Sequence, residues 1–251
     1  MDLFKPEIAF GLTPFETIYF NNKKPERLKK HYYRLLRASR VLNVLYKESF
    51  KEFEKCILEY LESVDIQEGV LKAILINDKL EFTTRETGYT KEKFKKGMSL
   101  TISKGIRNPK NILIYFKNLN YGENVIEDRR SKARGFDGCI FKNTNGYICE
   151  TSYANIFFRK GNELYTPHLS CGILKGVMRD DIICFARENG YTISKCFLTE
   201  GDIATMDECF ISNSVCGPFP VSSINNIDYN SRRFVDSIIS SGKFNRGFNI
   251  I

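Results

Sequence analysis

The sequence predicts an α+β chain organised as two domains. Three observations carry this reading. Helical and alternating patterns intermix in the first part, strands joined by Asn- and Gly-rich turns dominate the second, and Asn108-Pro109-Lys110-Asn111 breaks the chain between them. An N-terminal domain is expected over residues 1–107, a linker over 108–113 and a C-terminal domain over 114–251.

Phe15-Glu16-Thr17-Ile18-Tyr19-Phe20 is rich in aromatic and β-branched residues and alternates, which predicts a strand. Asn21 to Pro25 is a turn. From Pro25 to about Leu45, Leu28, Tyr32, Leu35, Leu36 and Leu42 recur at helical spacing, and a second helix is expected from about Glu48 to Ser63. Strands follow near Val70–Ile76, Leu80–Thr84 and Met98–Ser103. Beyond the break, Ile112-Leu113-Ile114-Tyr115-Phe116 reads as an apolar strand, and a helix is expected from about Asn118 to Gly135. Asn143-Thr144-Asn145-Gly146 predicts a hairpin between Gly138–Lys142 and Tyr147–Glu150. Lys160-Gly161-Asn162 predicts another between Asn155–Arg159 and Glu163–Thr166. A helix from Val177 to Glu188 stops at Asn189-Gly190, and strands near Thr192–Phe197, Glu208–Ser212 and Val221–Ile224 complete the pattern.

The chain has 251 residues, of which 42% are hydrophobic, enough for a sizeable core. No apolar run reaches the roughly 18 residues of a membrane span. Met1-Asp2-Leu3-Phe4-Lys5-Pro6 has no signal-peptide pattern, so a cytoplasmic protein is expected. The eight cysteines form no Cys-x-x-Cys and stand mostly in apolar runs, which predicts buried reduced thiols and no metal site. The net charge of +8 would suit a basic nucleic-acid-binding protein. The basic runs are interrupted by acids and no nucleic-acid motif accompanies them, so solvated faces that attract anionic substrates are the expectation.

Five features carry chemistry. Lys117 closes the apolar run 112–116, a place where desolvation would expose an amine lone pair. Glu150 ends a strand after Ile148-Cys149, and a buried carboxylate needs a cationic or donor partner. Gly176-Val177-Met178-Arg179 opens a helix, whose free amides suit a phosphate. His31 and Arg34 share a helix face at i and i+3, and Arg34 could clamp phosphate. Asn213-Ser214-Val215 follows a strand and could add a hydroxyl. An amine, a carboxylate and phosphate-binding amides are what pyridoxal 5′-phosphate (PLP) requires.

In order and spacing these residues resemble the class-IV aminotransferases, the fold-type IV PLP enzymes, from about Phe10 to Val221. The likeness runs through Phe15-Glu16-Thr17-Ile18, His31-Tyr32-Tyr33-Arg34-Leu35, Lys117, Glu150 to Phe157, Tyr165-Thr166-Pro167, Gly172 to Gly176, Asp207-Glu208 and Pro220-Val221. The resemblance implies a small N-terminal α/β domain, a larger C-terminal pseudo-barrel domain, and a homodimer. It implies Lys117 as the Schiff-base lysine and Glu150 as partner of the pyridine nitrogen. Arg34, Val177, Met178 and Ser214 would hold the phosphate, the middle two through backbone amides.

Within the family, the compact step Lys117-Asn118-Leu119-Asn120-Tyr121, Val177-Met178, Ser212-Asn213-Ser214 and Gly69-Val70-Leu71-Lys72 are similar to the aminodeoxychorismate lyase branch. That branch makes 4-aminobenzoate and pyruvate for folate synthesis. Branched-chain or D-amino-acid transamination is the alternative, and a basic nucleic-acid-binding protein on a degenerate fold the alternative of another class. Arg85, Arg107 and Lys72 are candidates for binding the carboxylate of a small amino substrate. Gly11-Leu12-Thr13-Pro14 departs from the family's usual Gly-Asp-Gly, and the segment before Phe15 is short.

Overall fold

A computed structural model gives the fold, with residues 5–249 described. Two compact units result: one runs to Gly88 and takes in Phe116–Tyr121, and the other comprises Tyr89–Tyr115 and the chain from Gly122 onward. The division thus falls at Gly88–Tyr89 and not at residues 108–113. The reason is pairing: the strand expected to close the first domain, Met98–Arg107, bonds to partners far along the chain in the larger sheet.

The first unit contains α1 (Pro6–Ala9), β1 (Phe15–Asn21), β2 (Lys24–Pro25), α2 (Leu28–Val41), α3 (Phe50–Ser63), β3 (Glu68–Ile76) and β4 (Lys79–Arg85). Its antiparallel sheet has the order β2-β1-β3-β4. Both hairpin tips, Asn22-Lys23 and Asn77-Asp78, take positive φ, the conformation that two-residue loops require and that Asn and Asp tolerate well. Ile18, Phe20, Leu71 and Leu75 of the strands pack on Leu35 of α2 and Phe53, Ile57 and Leu61 of α3. Each such side chain contributes about 1.5–3 kcal/mol on leaving water. Ser49 and Glu52 form a reciprocal capping box at the start of α3.

Phe116–Tyr121 lies against the start of β1 and the residues just before it. The Phe15 amide donates to the Lys117 carbonyl (3.0 Å) and the Leu119 amide to the Thr13 carbonyl (3.0 Å). The helix expected from Asn118 therefore starts only at Gly122. Ile112–Tyr115 is a 3-10 turn and not a strand, because Asn111 Oδ1 accepts the Leu113 amide and bends the chain at once.

The second unit contains α4 (Lys91–Lys96), β5 (Met98–Arg107), α5 (Gly122–Ala133), β6 (Gly138–Asn143), β7 (Ile148–Thr151), β8 (Asn155–Lys160), β9 (Glu163–Pro167) and α6 (Val177–Glu188). Then follow β10 (Thr192–Cys196), α7 (Glu200–Ile203), β11 (Glu208–Asn213), β12 (Gly217–Ile224), β13 (Ile227–Asp228) and α8 (Arg233–Ser240). The strand order is β10-β9-β8-β11-β12-β5-β6-β7, with β13 beside β12. Phe157 and Phe210 face each other across β8 and β11 with stacked rings 5.0 Å apart, and Phe234 of α8 stacks on Phe210 at 5.3 Å. Glu208 is fully buried; it accepts from Arg159 Nε (2.7 Å) and from the first amides of α8, Phe234 and Val235 (both 3.0 Å). Glu208 of the Asp207-Glu208 motif thus docks α8, while Asp207 accepts from the Gly161 amide (2.8 Å).

All eight cysteines are free thiols. Five are buried as expected, whereas Cys56 and Cys184 are exposed, since helical periodicity turns Cys184 outward between Ile183 and Phe185. Among the described residues no group of His, Cys, Asp and Glu could hold a metal, and no helix is long and apolar enough to cross a membrane.

Candidate active site

The expected site residues fall into two groups, each within one unit. In the first unit, Glu16 is the hub. It is a carboxylate on the buried face of β1, beneath α2. Arg34 donates to it through Nε (2.8 Å to Oε1) and Nη2 (2.5 Å to Oε2), and His31 Nδ1 lies 2.7 Å from Oε2. Burial works to raise the carboxyl pKa, but the Arg34 charge and hydrogen bond, joined by His31, override it and hold the group at about 2. Glu16 is thus ionised, and a bidentate partner fixes the Arg34 guanidinium in place. Burial lowers the His31 pKa against the opposing pull of Glu16, so the ring is neutral and Nδ1–H donates to the carboxylate. His31 Nε2 is left as a buried lone pair with no hydrogen-bond partner among the described residues.

Lys117 is half-buried, less enclosed than a place at the end of a buried strand would make it. Its Nζ stands 4.4 Å from the centre of the Phe15 ring and 5.6 Å from that of Tyr121, two rings that meet edge to face. Lys72 Nζ lies 4.7 Å from the same Phe15 ring, and burial, then the charge of Arg85, lowers its pKa. Two amines therefore share one aromatic side chain. Arg85 itself is exposed and donates to the Glu86 carbonyl.

In the second unit, Glu150 is held from both sides. Arg107 Nη1 donates to Oε1 (2.7 Å), and Oε2 accepts from Asn155 Nδ2 (2.8 Å) and the Leu174 amide (3.2 Å). Arg107 is buried against the Phe141 ring, 4.2 Å from its centre, so it belongs to the Glu150 carboxylate and not to the surface. Asn155 also donates to the Leu174 carbonyl (2.9 Å), tying Glu150 to the loop before α6. Gly176 is the N-cap of α6 and approaches Asn155 so closely that a Cβ there would lie 2.0 Å from Oδ1. No side chain caps this helix start, although Val177, Met178 and Arg179 are all buried. Arg179 turns back to β9, donating to Thr166 Oγ1 (3.3 Å) and the Pro167 carbonyl (2.9 Å), which accounts for the Thr166-Pro167 motif. Ser212 pairs with Asn155 across β11 and β8, so the turn carrying Ser214 leaves the sheet two residues beyond that pairing.

What the sequence missed is the pairing: Glu16, part of the first-strand motif, is taken by Arg34, and Arg107, expected as a candidate for a substrate carboxylate, is taken by Glu150. Nothing local marks Arg246, which is fully buried and grips the Ser214 turn.

The profile of the class IV amino-transferases matches residues 13–224, and the chain belongs to that family. Aminodeoxychorismate lyase of Bacillus subtilis is 28% identical over 240 residues, covering 89% of this chain and 81% of that protein. A Thermotoga maritima protein assigned as a branched-chain-amino-acid aminotransferase is 26% identical over 84% of this chain and 77% of its own length. Among solved structures, one from Legionella pneumophila assigned as a 4-amino-4-deoxychorismate lyase superposes with a TM-score of 0.87 at 28% identity, covering 95% of this chain and 93% of that one. The Escherichia coli branched-chain aminotransferase shares the fold at a TM-score of 0.83 and 20% identity, covering 97% of this chain and 88% of that one.

The protein is therefore a PLP-dependent enzyme of fold-type IV. The donor set suits the cofactor. The helix start at Val177 is buried and lacks a side-chain cap, as an anion-binding helix end requires, and Glu150 is a carboxylate held beside a cation.

Proposed function

We propose that the enzyme is a lyase converting 4-amino-4-deoxychorismate to 4-aminobenzoate and pyruvate in the cytoplasm, and that it works as a homodimer. Lys117, Arg34, Glu150, Val177, Met178 and Ser214 hold PLP in this reading. Bound there, PLP supplies an electron sink for negative charge at the carbon bearing the amine. Arg34, set by Glu16, the amides of Val177 and Met178, and the Ser214 hydroxyl take the phosphate. Glu150, paired with Arg107, would accept from the pyridine nitrogen. Lys117 Nζ removes the proton from the amine-bearing carbon and, as the ammonium, returns one to the departing enolpyruvyl group. Phe15 and Tyr121 hold the ammonium form of that amine over their rings.

The observation that favours a lyase is the short step from Lys117 to Tyr121, closed by a bond from the Tyr121 amide to the Leu119 carbonyl (2.7 Å). Met178 in second place on α6 supports the same branch. Branched-chain transamination is the second reading, favoured by the Thermotoga maritima match. Lys117 and Glu150, both present, argue against a degenerate binding protein. For the homodimer, Ile106, Ile112, Ile126 and Tyr153 are large apolar groups left exposed on the second unit, and sedimentation velocity reads the mass.

Two experiments test the reading. A protein-bound visible band with PLP is expected in wild type and absent in Lys117→Ala. Next, 4-aminobenzoate release from 4-amino-4-deoxychorismate is followed without any keto acid. Release without an acceptor is expected; release only when one is added means transamination and sinks the lyase.

A further inference from the structure

Resting on the reading of Ser214 as a phosphate ligand, we propose that Arg246 is a positioning residue for PLP: the C-terminal segment Phe244–Asn249 is a strap whose buried guanidinium sets the Ser214 turn. The turn joins β11 to β12, and two successive peptides in it, Ser214–Val215 and Val215–Cys216, are each held at both ends. Asn213 Oδ1 accepts the amides of Val215 (2.8 Å) and Cys216 (2.9 Å). Arg246 Nε donates to the Val215 carbonyl (3.0 Å), and Nη2 to the Ser214 carbonyl (3.2 Å). A planar trans peptide points its N–H and C=O in opposite directions, so these bonds fix the plane between Ser214 and Val215 from both faces. The Ser214 hydroxyl takes no hydrogen-bond partner among the described residues and is the group this clamp leaves to a ligand.

The strap is itself held rigidly. Asn249 Oδ1 accepts the Arg246 amide (2.6 Å), and Asn249 Nδ2 donates to the Phe244 carbonyl (3.1 Å). Gly217 closes the turn at φ +63, and a Cβ there would come within 3.4 Å of the Phe244 carbonyl oxygen, so strap and turn are in contact along their length. Arg246 and Asn249 are each 1% exposed, too buried for solvent to replace their bonds. A planar fork reaching two successive carbonyls needs arginine; lysine offers one point donor.

The test is a double-variant cycle read by binding. PLP and pyridoxal, which lacks the phosphate, are titrated against wild type, Ser214→Ala, Arg246→Lys and the double variant, following the protein-bound visible band. Arg246→Lys is expected to weaken PLP by about tenfold with pyridoxal unchanged, and to add nothing in the Ser214→Ala background. Equal loss for both ligands, or a loss that adds fully to that of Ser214→Ala, overturns the inference while leaving the Ser214 reading intact. Unchanged PLP affinity in Ser214→Ala itself overturns both. If Arg246→Lys does not fold, Asn249→Ala loosens the strap without removing the guanidinium, and a smaller loss confined to PLP is expected; a loss shared with pyridoxal overturns the proposal.

Discussion

Glu16 shows how a buried charge shapes this protein. Three hydrogen bonds from Arg34 and His31 reach one carboxylate that has no access to water. Neutralising it strands the Arg34 guanidinium beside a partner that no longer compensates it. Glu16→Gln is therefore expected to cost about 3–5 kcal/mol, read as a shift of the urea midpoint at unchanged slope. The same variant frees Arg34 to rotate and is expected to weaken PLP. Gly176 is the matching case in the second unit. A methyl there must displace Asn155 Oδ1, and Asn155 holds Glu150 to the Leu174 loop. Gly176→Ala is expected to cost about 1–3 kcal/mol and to weaken PLP, measured by denaturation and by titration; an unchanged affinity refutes the link from Gly176 to Glu150. Lys117, Glu150 and Arg34 stand out in the sequence because each lies in a local motif of fixed spacing. The pairings Glu16–Arg34 and Arg107–Glu150 do not, because the partners are 18 and 43 residues apart.

Elements were legible where their stabilisation is local. The α2 stripe and the capping box of α3 sit within a few residues of chain, so periodicity found both helices. Replacing the Ser49 hydroxyl, Ser49→Ala, is expected to cost about 1 kcal/mol in thermal or urea unfolding and to leave PLP affinity untouched, since α3 touches none of the cofactor groups. The errors arose where distant contacts override local preference. Ile112–Phe116 has strand composition, but Asn108 and Asn111 bend it into turns through their side chains. Asn118–Tyr121 has no helix breaker, yet the Leu119 bond to Thr13 and the Lys117 bond to Phe15 hold the chain against the start of β1, with Lys117 over the Phe15 ring. β5 looks like any short strand, and only its parallel neighbours β6 and β12 fix its length and its sheet. The helix α8 follows a polar stretch and is anchored by Glu208, a residue earlier in the chain by more than two turns of any helix.

At the scale of the molecule, the buried Glu16–His31 pair makes stability depend on pH in two steps of the same sign. His31 has its folded pKa depressed, chiefly by burial, so below its ordinary value of 6.5 the unfolded chain binds a proton that the native chain refuses. Its contribution is complete above 6.5 and declines as pH falls from there. Glu16 is also depressed, from 4.5 to about 2, so its contribution is complete above 4.5 and is lost as pH falls towards 2. Each step has a limiting slope of about 1.4 kcal/mol per pH unit. Urea unfolding from pH 8 to pH 3 is thus expected to give a flat region, a first decline beginning near 6.5, and a second beginning near 4.5 to which Glu127 and Asp137, also depressed, contribute. The steps separate by substitution. His31→Gln keeps a donor for Glu16 and cannot titrate, so the first decline should vanish while the second remains; Glu16→Gln should make the second shallower. A first decline that survives His31→Gln would mean that the proton is taken up elsewhere and that the Glu16–His31–Arg34 cluster does not hold a neutral imidazole.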